Sequence, residues 1–263
     1  MFKAGSNNAH SFRNHRVHCK LFERTRKYFL PKLYGSTEDV RVLTGPFAGM
    51  KYHNTSSFGP ITPKWLGSYE WEIQDLVERM CVNAYENIVN IGSAEGYYAV
   101  GLACRSPRSN ILAFDIDPLA RREVVELAKQ NGVGDRLDVG TACQRLDWVP
   151  PGNNLLFVDI EGAEGDFLNP QTTPYLLQFD ILVELFELAR SARDLESLLR
   201  DRFETTHVIE RRTQTDRTEW QARNQKVWGK RLTDKDVARA TNEFRTEHQV
   251  WLWIEKKKTG NVR

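Results

Sequence analysis

The chain is short of cysteine: among 263 residues there are four, Cys19, Cys81, Cys104 and Cys143, with no C-x-x-C pair. A chain of this length does not need disulfide staples, so reduced thiols in a cytosol are the expectation. Long hydrophobic runs are lacking too. No segment approaches the roughly 20 apolar residues of a membrane span, and the start of the chain has no apolar core of a secretory signal. Charge of one sign is also missing. The 37 Lys and Arg nearly balance 35 Asp and Glu, for a net charge of +2, so no overall field argues for a nucleic-acid partner. No internal repeat or low-complexity segment interrupts the chain.

What is present is enough apolar material for a packed core, with 40% hydrophobic and 11% aromatic residues. The balanced charge is unevenly spread. Residues 1–33 hold Lys3, Arg13, Arg16, Lys20, Arg24, Arg26, Lys27 and Lys32 against only Glu23. Residues 1–40 therefore read as a solvated, partly irregular basic arm, with contact to a membrane surface or an anionic partner as the weaker alternative. A lead-in over 41–86 follows: a hairpin in "VRVLTGPFAGMKYH" (40–53), a loop over 54–67, and a helix over 68–81 with Ser68 as its cap. From residue 87 short apolar runs alternate with helical segments. Strands are expected at 87–92, 110–117, 136–142, 154–162 and 180–187, and helices at 95–105, 118–132 and 192–200. Asp117, Pro118 and Gly132 punctuate the second of these helices. Nearly continuous apolar strands in such alternation imply an α/β, Rossmann-like, mostly parallel sheet over 87–258. Two closing strands, 203–211 and 248–256, flank a polar insertion (211–246) with a helix near 233–244. The last, "WLWIE", ends the fold without a further helix and suits an antiparallel strand. His207 and His248 read as strand residues, and Trp220 and Trp228 as part of a surface insertion.

In an open parallel sheet, ligands sit at the carboxyl ends of the strands. The first strand ends in "NIGSAEGYYAV", where Gly92 and Gly96 allow a sharp turn and close backbone approach. The second ends at Asp115, a carboxylate able to accept from both hydroxyls of a ribose. Two cofactors compete for this loop. A dinucleotide prefers G-x-G-x-x-G around its pyrophosphate; here position 94 is alanine, and Glu95 is expected to repel a pyrophosphate. S-adenosyl-L-methionine has no phosphate and carries a cationic sulfonium. Opposite charges about 4 Å apart interact by roughly 4 kcal/mol at an effective dielectric near 20, enough to separate the two.

The order of motifs resembles the FkbM family of class I S-adenosylmethionine-dependent methyltransferases. "GPFAGMKY" with "LGSYEWEI", "VNIGSAEGYYAVGLA", "LAFDIDP", "FVDIEGAEGDFL" and "ILVELFE" carry the resemblance, over about residues 43–187. It implies a seven-stranded, mostly parallel sheet with a terminal antiparallel strand. It implies S-adenosyl-L-methionine as methyl donor and a hydroxyl acceptor on a sugar, glycan or small metabolite. It places the cofactor over Asn90, Gly92, Ser93, Ala94 and Gly96, its ribose on Asp115, its adenine near Ile116, Ala142 and Cys143, and its methionine end near Asp159. Two positions depart from the family pattern: Asn90 stands where an acid is usual, and Phe186 where histidine is frequent.

The segment "LLFVDIEGAEGDFL" (155–168) ends an apolar run with Asp159, Glu161, Glu164 and Asp166. If the strand continues, Asp159 and Glu161 point to the same side of its carboxyl end. Glu164 and Asp166 fit the start of a helix, where negative charge is favourable. Removing a proton from an acceptor hydroxyl calls for a nearby base, and Asp159, Glu161 and Glu184 are the candidates. The same three carboxylates are the alternative oxygen ligands for magnesium or calcium; no histidine falls here to suit zinc. A nicotinamide-dependent oxidoreductase and a non-catalytic cofactor-binding module remain as rival functions.

Overall fold

The computed structural model describes residues 8–35, 39–55, 57–185, 192–245 and 249–258, with side chains from residue 21 onward except 192 and 193. Seven strands form one sheet: β1 (Asn87–Ile91), β2 (Asn110–Phe114), β3 (Leu137–Gly140), β4 (Asn154–Val158), β5 (Phe179–Leu185), β6 (His207–Thr213) and β7 (Val250–Lys256). Their order is β3-β2-β1-β4-β5-β7-β6. β1 to β5 pair in parallel, and β7 runs antiparallel between β5 and β6. This is the class I methyltransferase fold. It meets the expectation of a mostly parallel, seven-stranded sheet with an antiparallel closing strand.

The central strands are apolar without alternation because both faces are covered. Every residue of β1, β4 and β5 is buried. In β4, Leu155 and Phe157 belong to one apolar cluster, and Leu156 and Val158 to the other on the opposite face. The helices are α1 (Asn8–Tyr34), α2 (Ile61–Leu66), α3 (Gln74–Val82), α4 (Tyr97–Arg105), α5 (Pro118–Gln130), α6 (Glu164–Phe167), α7 (Ala192–Phe203), α8 (Thr218–Trp228) and α9 (Asp234–Ala240). α5 starts as its sequence predicts: the Asp117 carboxylate accepts from Leu119 N–H at 2.7 Å, with Pro118 in the first turn. Among the described residues, no helix is long and apolar enough to cross a membrane.

Several local expectations are corrected. The basic segment is the continuous helix α1 rather than an irregular arm, and its last turns are core: Phe29 and Leu33 are buried in the cluster that holds Trp65 and Tyr85. Basic side chains mask this in the sequence because the apolar stripe begins late. The 40–53 stretch does turn back on itself as expected, antiparallel at Arg41 and Lys51, with Val42 N–H donating to Met50 O at 2.9 Å and Tyr52 N–H to Val40 O at 2.8 Å, but it is too short to count as a strand pair. The expected loop at 54–67 contains α2. The single helix expected over 68–81 is a 3-10 turn, Trp71–Ile73, leading into α3, and Ser68 caps neither; its hydroxyl faces Pro63 O at 3.5 Å. The 211–246 segment is not a surface insertion. β6 reaches Thr213, and Trp220 and Trp228 on α8 stack at 5.2 Å inside the main core. His207 is a strand residue as expected, buried with Nε2 3.0 Å from Phe179 O. His248 and Phe186 lie outside the described residues.

Replacing Phe29 by Ala is expected to lower the unfolding free energy by about 3–5 kcal/mol, the usual cost of truncating a buried aromatic ring. Urea denaturation measures it; a solvated arm would leave stability unchanged.

Candidate active site

The loop after β1 is held by its neighbours' backbones. Gly92 and Ser93 N–H donate to Phe114 O at 2.9 and 3.1 Å, and Asp159 N–H donates to Ile91 O at 2.9 Å. Gly92 has φ +80°, and a Cβ there would fall 1.6 Å from Asp159 O, so no other residue fits this crossing. Ala94 (φ +45°) and Gly96 (φ +99°) complete the turn into α4. Asn90, on β1, is 1% exposed, and neither its amide nitrogen nor its oxygen has a partner; Ser93 Oγ is buried and unpartnered as well. Buried polar atoms are seldom left unpaired, since each costs about 1–3 kcal/mol. Three within four residues mark a place where a polar ligand would complete the bonding.

Glu95 behaves differently from its sequence expectation. Its carboxylate is ion-paired with the buried Lys64 ammonium and accepts from Tyr52 OH at 2.7 Å, while Lys64 also donates to Phe58 O at 2.9 Å. Its charge is neutralised inside the fold, so repulsion of a pyrophosphate by Glu95 no longer separates the two cofactors. What still does is the loop itself, with Ala94 where a dinucleotide motif carries glycine.

At the end of β2, Asp115 accepts Ala94 N–H on Oδ2 at 2.9 Å and Asp117 N–H on Oδ1 at 2.8 Å. These bonds fix the carboxylate and leave each oxygen one further lone pair. Beside it Ile116 is 84% exposed, a large apolar surface available to cover a flat ring. Ala142 is exposed; Cys143 is half-buried and its thiol donates to Arg145 O at 3.3 Å.

The register of β4 against β5 pairs Val158 with Val183, so the next residues, Asp159 and Glu184, emerge side by side at the strand ends. Two carboxyls emerging together from a buried edge do not both ionise easily, and their titrations are linked. Burial pushes Asp159 up to about 7, with the Glu70 charge adding to the effect. Burial and the Asp159 charge push Glu184 well above the usual carboxylate range. Glu161 does not join them on a common strand face as expected. β4 stops at Val158, and Glu161 sits exposed on a left-handed turn at φ +52°. Glu164 does open a helix: it is the first residue of α6, buried, and its Oε1 accepts Gly162 N–H at 2.9 Å; Asp166 is exposed. Among the described residues, no group of three or more His, Cys, Asp and Glu side chains is arranged to hold a metal ion.

The structure adds residues that the sequence reading missed. Arg245, just before β7, donates from Nη1 to Glu184 Oε1 at 3.3 Å, from Nη2 to Glu70 Oε1 at 2.5 Å and Tyr69 OH at 3.3 Å, and from Nε to Glu243 Oε2 at 3.2 Å. Tyr98 OH, on α4, donates to the other Glu70 oxygen. Arg217 bridges Glu72, at 3.0 Å, and Glu243. Burial pushes Glu72 up to about 7, with Arg217 opposing the shift. The signal available in the sequence was two acids, Glu70 and Glu72, alternating with Tyr69, Trp71 and Ile73. A cavity of about 270 Å³ borders Arg217 and Glu243 between α8 and α9, but includes neither the carboxyl pair nor the β1 loop.

No family model matches the chain, and no curated protein does. Solved structures similar to the chain include a putative O-methyltransferase from Klebsiella pneumoniae, at 13% identity and TM-score 0.46, covering 90% of this chain and 99% of that one. The O-methyltransferase TomG from Streptomyces achromogenes, in complex with SAM, gives 9% identity and TM-score 0.43 over 69% of this chain and 80% of that one. An RNA methyltransferase from Salinibacter ruber, in complex with S-adenosyl-L-homocysteine, gives 14% identity and TM-score 0.37 over 72% and 95%. Likeness at this level says nothing about activity.

The folded chain favours neutral Asp159, Glu184 and Glu72, whereas unfolded carboxyls ionise near 4. The folded state therefore binds more protons. Stability is expected to fall as pH rises from about 4 to about 7, by up to ~1.4 kcal/mol per pH unit for each group. Urea unfolding across this range measures the slope, and Glu72→Gln should flatten it. A stability that climbs over the same window contradicts the assignment.

Proposed function

We propose that the protein is an S-adenosyl-L-methionine-dependent methyltransferase acting on a hydroxyl of a sugar, glycan or small metabolite. The observation that carries this reading is the set of unpaired, buried polar atoms on Asn90 and Ser93, at the carboxyl end of the central strand. An amide with both a free donor and a free acceptor suits the amino-acid end of the cofactor, which offers both. Asp115 has lone pairs for the two ribose hydroxyls, and the exposed Ile116 would cover the adenine, with Ala142 and Cys143 beside it. Gly92, Ala94 and Gly96 shape the loop under these groups. When bound, the cofactor supplies an electrophilic methyl group.

The rest of the chemistry falls to the chain. A hydroxyl becomes a good nucleophile as its proton leaves, and the best base has a pKa near the working pH. Asp159, pushed up to about 7, meets that condition, and Glu184 beside it, raised further, is the neighbour whose ionisation is linked to its own. Glu161, on its exposed turn, takes no part in this reading.

A nicotinamide-dependent oxidoreductase is the second reading. The Lys64–Glu95 pair favours it, since it removes the charge that would have repelled a pyrophosphate. NADH fluorescence titration separates the two. A non-catalytic module is supported by Asn90, which lacks the charge of an acid; such a protein would bind the cofactor and transfer no methyl group.

Calorimetric titration with S-adenosylhomocysteine is expected to show binding, weakened at least about tenfold by Asp115→Ala through loss of charge-assisted hydrogen bonds. Asp159→Asn should keep that binding and lower methyl transfer by about 10²–10⁴-fold, the usual worth of a general base. The acceptor for that assay comes from incubating extracts with labelled methyl donor, with and without the protein. Folded protein with no detectable binding at millimolar ligand would sink the proposal.

A further inference from the structure

Arg245 comes from the polar segment before the last strand, far in sequence from every motif at the site. It nevertheless reaches the carboxyl pair: Nη1 lies 3.3 Å from Glu184 Oε1, while Nη2 and Nε are anchored on Glu70 and Glu243. Its guanidinium lies over the Tyr69 ring, 5.5 Å from the centroid. The anchors are themselves tied down. Tyr98 OH donates to Glu70, Glu243 accepts Glu70 N–H at 3.1 Å, and Arg217 holds Glu243 from the other side. Two carboxylates thus fix the planar fork in one orientation, with Nη1 left for Glu184.

We propose that Arg245 is the positioning residue of the carboxyl pair: it fixes the Glu184 carboxyl at the end of β5 beside Asp159 and supplies the positive charge that lets the pair ionise. The inference rests on the methyltransferase reading for its purpose, but not for its physics. The titratable and charged groups facing Arg245 are Glu184 from β5, Tyr69 and Glu70 from the turn before α3, and Glu243 after α9. Asp159 joins through Glu184, Tyr98 through Glu70 and Arg217 through Glu243, and exposed Glu161 adds its charge at Asp159. Negative charge outnumbers positive here. Without Arg245 the pair would keep its proton to higher pH, and a base that stays protonated accepts nothing.

The test needs no cofactor. Carbon-13 NMR of the Asp159 and Glu184 carboxyls, followed through a pH titration of the full chain, is expected to show both carbons responding to each other's ionisation, with the first midpoint above the usual carboxylate range. Arg245→Gln should raise that midpoint by at least about one pH unit, the usual influence of a neighbouring opposite charge on a carboxyl. Arg245→Lys, which keeps the charge, should restore most of the shift. A role confined to fold stability would lower the melting temperature of Arg245→Gln and leave the midpoint in place, which overturns the proposal. If Arg245→Gln does not fold, the lysine variant and the wild-type titration decide. Independent titration of the two carbons, or full ionisation below about pH 5 in the wild type, overturns it as well. S-adenosylhomocysteine binding measured in parallel separates the outcomes: loss of binding with the coupled titration intact defeats the functional reading alone.

Discussion

Carboxylates buried together must be paired or protonated, because an isolated charge in a low-dielectric interior is too costly to keep. Glu70, Glu72, Glu184 and Glu243 are all buried within one connected network that also contains half-buried Asp159. Two arginines, Arg217 and Arg245, make this possible, and burial raises the proton affinity of Asp159 and Glu184. The rest of the site follows from that balance. The lead-in before β1 supplies Glu70 and Glu72, the sheet supplies Asp159 and Glu184, and the segment between β6 and β7 supplies both arginines and Glu243. Each of the three parts would leave unpaired charge without the others.

The sheet explains why these groups meet. Parallel pairing in β4 and β5 brings both carboxyl ends to the same edge, and the Val158–Val183 register sets the two acids level. β1 runs between β2 and β4, so its glycine turn, the Asp115 carboxylate and Asp159 converge on that edge. The turn is possible because Gly92 passes against the Asp159 carbonyl, where any side chain would collide. One backbone crossing thereby ties the loop after β1 to the carboxyl pair. On the other side of the loop, Lys64 and Tyr52 hold Glu95 as a structural ion pair rather than a ligand contact.

Much of the fold was legible because burial writes itself into composition. β4 and β5 are apolar at most positions, and Asp117, Pro118 and Gly132 mark the ends of α5 by local rules alone. The candidate residues Gly92, Gly96 and Asp115 follow from the rule that ligands sit at strand ends, whereas Asn90, Ser93 and Ile116 were implied by the motif resemblance. Other features were illegible because their cause is not local. α1 hides Phe29 and Leu33 among basic residues. Trp220 and Trp228 look like surface aromatics until their stacking partner is known. Glu161 seemed to share a face with Asp159 because nothing in the sequence marks Val158 as the last strand residue.

By itself the sequence determined the alternation of apolar strands and helices, the glycine turn after β1, and the acids that close β2, β4 and β5. These depend on residue type and spacing within a few positions, which is where helix caps, strand burial and glycine conformations are decided. Only the tertiary structure decided which acids act together. It moved Glu161 out to solvent, neutralised Glu95 with Lys64, and set Asp159 against Glu184. It also brought Arg245 to the site from the far end of the chain. The reason is physical: the proton affinity of a carboxyl is fixed by the charges and the burial around it, and both come from residues remote in sequence.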